Sequence, residues 1–185
     1  MRRARGGRRL PVGMVLAAVL LAGSGSAAAG VSVGVERGVA EATDRNRDMR
    51  QLGLTLAVDL PWHLRFGDHW RAGWQLAARG GTLSGWGDGG AYGAGGVRLN
   101  LTAVDAGVSL EGFAGPMNIS RIHFGGADFG QHWQLLTQFG FGTRVTRAVA
   151  LGYRFQHMSN VGLARSNPGL DTHVFRLEVR WKPGR

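Results

Sequence analysis

Apolar and polar residues alternate with a period of two along most of this chain. The alternation comes in blocks of roughly eight to twelve residues separated by turn-forming clusters, and helical periodicity is poor. Eight blocks can be distinguished, at approximately 31–38, 50–59, 69–79, 90–101, 105–115, 131–142, 148–159 and 171–181. Successive side chains on a strand point to opposite faces, so each block carries two unlike faces. In 50–58, Leu52, Leu54, Leu56 and Val58 oppose Gln51, Gly53, Thr55 and Ala57. In 148–159, Leu151, Tyr153, Phe155, His157 and Ser159 oppose Gly152, Arg154, Gln156 and Met158. In 171–181, Asp171, His173, Phe175, Leu177, Val179 and Trp181 oppose Thr172, Val174, Arg176, Glu178 and Arg180.

These faces decide between two all-β architectures. A soluble barrel or sandwich turns its apolar face inward. A membrane barrel turns it outward and fills its lumen with polar groups. Here the polar face carries Arg154, Gln156, Arg176, Glu178 and Arg180, which can interlock in a narrow lumen. The pattern predicts an all-β, eight-stranded antiparallel transmembrane β-barrel of the bacterial outer membrane, eight being the smallest number such barrels use. Alternate connections should then be extracellular, at about 39–49, 80–89, 116–130 and 160–170. The periplasmic connections at 102–104 and 143–147 are short, as expected, whereas the one at 60–68 is long. In the glycine-rich run 87–96, the first half reads as loop and the second as strand. Trp62, Trp70, Trp74, Trp86, Trp133 and Trp181 include candidates for an interfacial aromatic belt.

Residues 1–29 read as a cleaved secretory signal peptide, with residues 30–185 as the barrel. An arginine-rich start is followed by the apolar run Pro11 to Gly23 and then by small residues, with cleavage expected after Ala27-Ala28-Ala29. The apolar run is shorter than the ~20 residues a spanning helix needs. The leader also changes the charge picture. The whole chain has 22 basic and 12 acidic residues, a net charge of +10, but five of those arginines lie in the first nine positions. Without them, 17 basic residues face 12 acidic ones with no Lys/Arg cluster, which suits a surface beside anionic lipid at least as well as DNA, and no nucleic-acid partner is expected. With no cysteine, disulfides, thiol catalysis, thiolate metal sites and a lipoprotein anchor are all excluded.

The candidate chemistry is in the last hairpin. His157 and Ser159 are two apart and share a face, and a folded-back hairpin brings Asp171 beside them. Base, hydroxyl and carboxylate are the components of a serine hydrolase. All three lie on the apolar, lipid-facing side at the loop end of their strands, where polar groups are costly unless they satisfy one another or do chemistry. Ser159 would be the nucleophile, His157 the base, and Asp171 the group that orients the imidazole. Asn160 and backbone N–H groups near Gly162 are local candidates for the oxyanion donors. His63, His69, His123, His132 and His173 form no metal-binding spacing. His173 shares a face with Asp171, either as support for the site or as an interfacial polar residue.

The run His157-Met158-Ser159-Asn160-Val161-Gly162-Leu163, followed by Asn167-Pro168-Gly169 and Asp171, closely resembles the lipid A 3-O-deacylases, the PagL family. That resemblance implies an eight-stranded outer-membrane barrel that hydrolyses the ester at position 3 of lipid A without cofactor or metal. It implies Ser159 as nucleophile and His157 as base, with Asn160, Gly162 and Asn167 as oxyanion-hole or loop-shaping residues. Lipid A or lipopolysaccharide would be the substrate and membrane lipids the surroundings, with homodimer formation left open. Arg165 could meet lipid A phosphates or be a solvated loop charge. The family acid is commonly Glu, so Asp171 is one methylene shorter. The competing functions are an outer-membrane phospholipase, a palmitoyl transferase, and a structural or adhesin-like barrel.

Overall fold

The computed structural model describes residues 30–42 and 46–181. The leader assigned to residues 1–29, with its cleavage site, lies outside the described residues. The strands are β1 (Val31–Ala40), β2 (Arg50–Phe66), β3 (Trp70–Gly85), β4 (Asp88–Ala103), β5 (Val108–Ile119), β6 (His123–Phe124), β7 (Ala127–Asp128), β8 (Trp133–Arg144), β9 (Val149–Ser159) and β10 (Leu170–Trp181). Eight of them close a barrel in the order β1-β10-β9-β8-β5-β4-β3-β2, while β6 and β7 pair only with each other. Closure is made by β1, which pairs antiparallel with both β2 and β10. Every barrel strand therefore has both edges satisfied, which spanning strands require where no water is available.

The eight expected strands are all present, and two connections differ. The long connection expected at 60–68 is strand for most of its length. β2 runs to Phe66 with an irregularity between Asp59 and His63. Pro61 has no N–H for the ladder, and a bulge absorbs it without ending the strand. The loop expected at 80–89 is a two-residue turn, because β3 and β4 stay paired through Gly85 and Asp88. Its central residues, Trp86 and Gly87, have φ of 51° and 84°, as a type I′ hairpin turn demands. Tryptophan takes the place where Asn or Gly normally marks such a turn, which concealed it in the sequence. The first half of the 87–96 run is accordingly strand, not loop.

The barrel is apolar outside and polar inside. Leu52, Leu54, Phe139, Phe141, Phe175 and Leu177 are exposed on its outer surface. In the lumen, Glu111 accepts from Arg154 Nε at 3.0 Å and Arg176 Nη2 at 2.8 Å. Glu178 accepts from Arg98 Nη1 at 2.8 Å and Arg176 Nη1 at 2.5 Å. Glu36 pairs with Arg79 and with Arg154 Nη1. Four buried arginines thus share three buried glutamates. At Gly140 the backbone of β8 lies close against β9: a Cβ there would lie 2.0 Å from the Tyr153 carbonyl oxygen.

Toward the end of the barrel bearing the 160–169 loop, the interior becomes apolar. Leu83, Met117, Ile119, Leu136, Met158 and Leu170 are buried there together with Phe124 and Phe129. Phe124 ends β6, Phe129 directly follows β7, and the two meet edge-to-face with ring centroids 6.1 Å apart. The segment expected as an extracellular connection at 116–130 thus carries an apolar plug that stands over the lumen, and the 160–169 loop rests on it.

Candidate active site

Strand pairing positions the candidate residues. Asp171 of β10 lies directly opposite His157 of β9, and Ser159 is two residues further along β9 on the same face. Their neighbours Gln156, Met158 and Thr172 are buried, whereas the His157 side chain is 47% and the Asp171 side chain 35% exposed. The dyad therefore stands on the outer wall of the barrel, outside the lumen. His157 Nδ1 and Asp171 Oδ1 are 2.6 Å apart. A carboxylate can only accept, so Nδ1 carries the proton and donates it. In the neutral ring this tautomer leaves the lone pair on the other nitrogen, Nε2, the form a general base needs. The shorter side chain at Asp171 still reaches the imidazole because the two residues are direct cross-strand partners.

The surroundings of the dyad are apolar. Leu135 is opposite Ser159, and Phe155 is the next outward residue on β9; both are exposed. Val161 and Leu163 at the loop end are 61% and 77% exposed. Below the dyad, His173 Nδ1 and the Tyr153 hydroxyl are 2.7 Å apart, which supplies a partner for a polar ring on this face.

The loop following Ser159 is tightly organised. Asn160 is fully buried, and its Nδ2 donates to the carbonyls of Phe129 and Ser166 at 3.0 and 2.6 Å. Its Oδ1 accepts the Gly162 N–H at 3.0 Å, and its own N–H donates to Asn167 Oδ1 at 3.0 Å. Leu163 N–H closes a turn onto the Asn160 carbonyl at 3.0 Å. The central residues Val161 and Gly162 have φ of 54° and 78°, again type I′. Left-handed backbone is unfavourable for a β-branched residue, so the hydrogen bonds of Asn160 hold a strained corner immediately beyond Ser159. The N–H groups of Asn160 and Gly162 are engaged within the loop, and Asn167 acts there as an acceptor. Arg165 is exposed on the same loop.

Three further residues support this arrangement. Ser166 Oγ donates to the Asp128 carbonyl at 2.5 Å, and Asn46 Nδ2 donates to the Gly169 carbonyl at 2.6 Å, so the loop is tied to the plug and to the segment before β2. Gly169, at φ 70°, lies against the imidazole: a Cβ there would contact His157 Cε1 at 3.4 Å. Sequence reasoning missed Asn46, Ser166 and the plug, because no spacing in the chain links them to the last hairpin.

A family model described as lipid A 3-O-deacylase (PagL) matches residues 50–180. Among solved structures, the outer-membrane enzyme PagL is similar at 17% identity and a TM-score of 0.70, over 80% of this chain and 98% of that one. More distant barrels include Ail of Yersinia pestis in a phospholipid bilayer nanodisc, at 13% identity, TM-score 0.46 and coverage of 83% and 99%. Neisserial surface protein A is similar at 11% identity, with a TM-score of 0.45 and coverage of 84% and 96%. No curated protein matches the chain.

Proposed function

Because the chain belongs to the lipid A 3-O-deacylase (PagL) family of outer-membrane barrels, we propose that it hydrolyses the acyl ester at position 3 of lipid A through Ser159, His157 and Asp171. The observation carrying this reading is the 2.6 Å His157–Asp171 contact on the lipid-facing wall, two residues along the strand from Ser159. A triad on the outer wall can meet an acyl ester where the lipid lies, without extracting it from the leaflet.

His157 Nε2 takes the proton of the Ser159 hydroxyl as its oxygen attacks the ester carbonyl. Asp171 holds the ring and stabilises the imidazolium. Collapse of the tetrahedral intermediate breaks the bond to the sugar oxygen, and His157 returns the proton to that oxygen. The acyl group is now on Ser159. A water deprotonated by His157 then releases it as a fatty acid and regenerates the serine. Asn160, Gly162 and Asn167 hold the loop that borders the reaction, and Arg165, exposed on that loop, meets headgroup anions.

Mass spectrometry of lipid A from cells expressing the protein tests the proposal. A mass loss equal to one hydroxyacyl chain at position 3 is expected, and it should vanish in Ser159→Ala. Unchanged lipid A accompanied by new lysophospholipid would replace lipid A with a phospholipid substrate. Equal deacylation by Ser159→Ala would reject the triad.

A further inference from the structure

The outer wall beside β10 carries two cations unused by the reaction just described. Arg37 on β1 is exposed and points outward with Val33, Val35 and Val39. Its four surface neighbours are all exposed hydrophobics: Val35 and Val39 along the strand, Leu52 across on β2 and Phe175 across on β10. A cation in such a belt is costly, and less so the nearer its head lies to the interface. The Arg37 side chain has an apolar stem, so its guanidinium can rise along β1 toward the headgroup layer.

Arg50 opens β2 on that side. It lies opposite Val39, two residues before Leu52, and is therefore a diagonal neighbour of Arg37, about 7–8 Å away by strand geometry. Among the described residues neither arginine side chain has a hydrogen bond or ion pair, and neither pairs with the nearby Glu41 or Asp48. Two like charges on adjacent strands repel unless an anion lies between them. Both offer planar donor forks, which suit the oxygens of a phosphate.

We propose that Arg37 and Arg50 form a two-cation seat for a sugar phosphate of lipid A; this rests on the lipid A esterase reading above and adds a second point of substrate attachment to it. From Phe175, opposite Arg37, to Asp171 is four residues, roughly 13 Å along the strand, and the rise of the Arg37 side chain toward the loop end shortens the span between guanidinium and triad. A two-sugar headgroup can bridge that separation and a lone ester cannot. The seat therefore orients the headgroup across β1, β10 and β9, so that one acyl ester of several is presented to Ser159.

Initial rates on bisphosphorylated and on fully dephosphorylated lipid A, in the same detergent micelles, test the seat. The wild type is compared with Arg37→Gln/Arg50→Gln and with Arg37→Lys/Arg50→Lys. The wild type should prefer the phosphorylated lipid about tenfold in KM, equivalent to ~1.4 kcal/mol. The glutamine pair should bring that ratio close to one, and the lysine pair should keep part of it. An unchanged ratio in the glutamine pair, or an equal loss on both lipids, overturns the seat. Heat-dependent migration on a gel reports whether each barrel is folded; if the double variant is not, Arg50→Gln at the strand end gives the same reading. Failure of the wild type on both lipids rejects the esterase reading instead. The seat is then judged by binding of bisphosphorylated lipid A to Ser159→Ala with and without the glutamine pair: weaker binding with the pair supports it, and equal binding overturns it.

Discussion

Replacing Asp171 with Asn changes one atom at the contact on which the proposed mechanism depends. Asp171 Oδ1 is 2.6 Å from His157 Nδ1, so the substitution has two effects. It removes the negative charge that stabilises the imidazolium. It also allows an amide N–H to face Nδ1, which favours the tautomer protonated at Nε2 and so blocks the base. In a fully buried triad this exchange lowers kcat by ~10⁴. Here the two side chains are 47% and 35% exposed, so the charge effect is partly screened while the tautomer effect remains. We expect kcat to fall by ~10²–10³, equivalent to ~3–4 kcal/mol of activation free energy, with KM little changed. Initial rates measured by mass spectrometry of lipid A, with Ser159→Ala as the floor, give the comparison. Asp171→Glu keeps the charge and adds one methylene, and should stay within about tenfold of wild type because the Nδ1 partner is retained. The reasoning is refuted if folded Asp171→Asn works within about threefold of wild type, or if Asp171→Glu is as damaging as Asp171→Asn.

Two other substitutions probe the scaffold. Glu111→Gln leaves Arg154 and Arg176 without their shared carboxylate in the buried lumen, and should cost ~3–5 kcal/mol of stability, read from urea unfolding in detergent or lipid. Asn160→Ala removes three side-chain hydrogen bonds, each worth ~1 kcal/mol, from the loop beyond Ser159. It should speed hydrogen exchange in residues 160–169 and lower activity while leaving barrel unfolding nearly unchanged; a drop in barrel stability with a protected loop would contradict the loop-shaping role of Asn160.

Much of the barrel was legible because its signal is local. A lipid-facing strand repeats every two residues, so the outward faces of β2, β9 and β10 can be read from a dozen residues at a time. Where local signals misled, they did so for local reasons. Pro61 suggested a break that β2 absorbs as a bulge. Trp86 sits in a turn whose usual marker is Asn or Gly, so the β3–β4 hairpin looked like a loop. The histidine, serine and aspartate of the last hairpin were legible for the same reason as the strands, since the dyad is made by neighbouring strands joined by one short loop.

By itself the sequence determined the two faces of the strands it resolved, the number of barrel strands and the shared face of His157, Ser159 and Asp171, because alternation is a property of the extended backbone. Only the tertiary structure decided the register that sets Asp171 opposite His157. It alone decided the burial of Asn160 against the Phe129 carbonyl and the closure of β1 on β10 that brings Arg37 beside Phe175. Those contacts join residues as many as 138 positions apart, as Arg37 and Phe175 show. Only closing the sheet into a barrel relates such residues, since pairing both edges of every strand is what a chain in lipid must achieve.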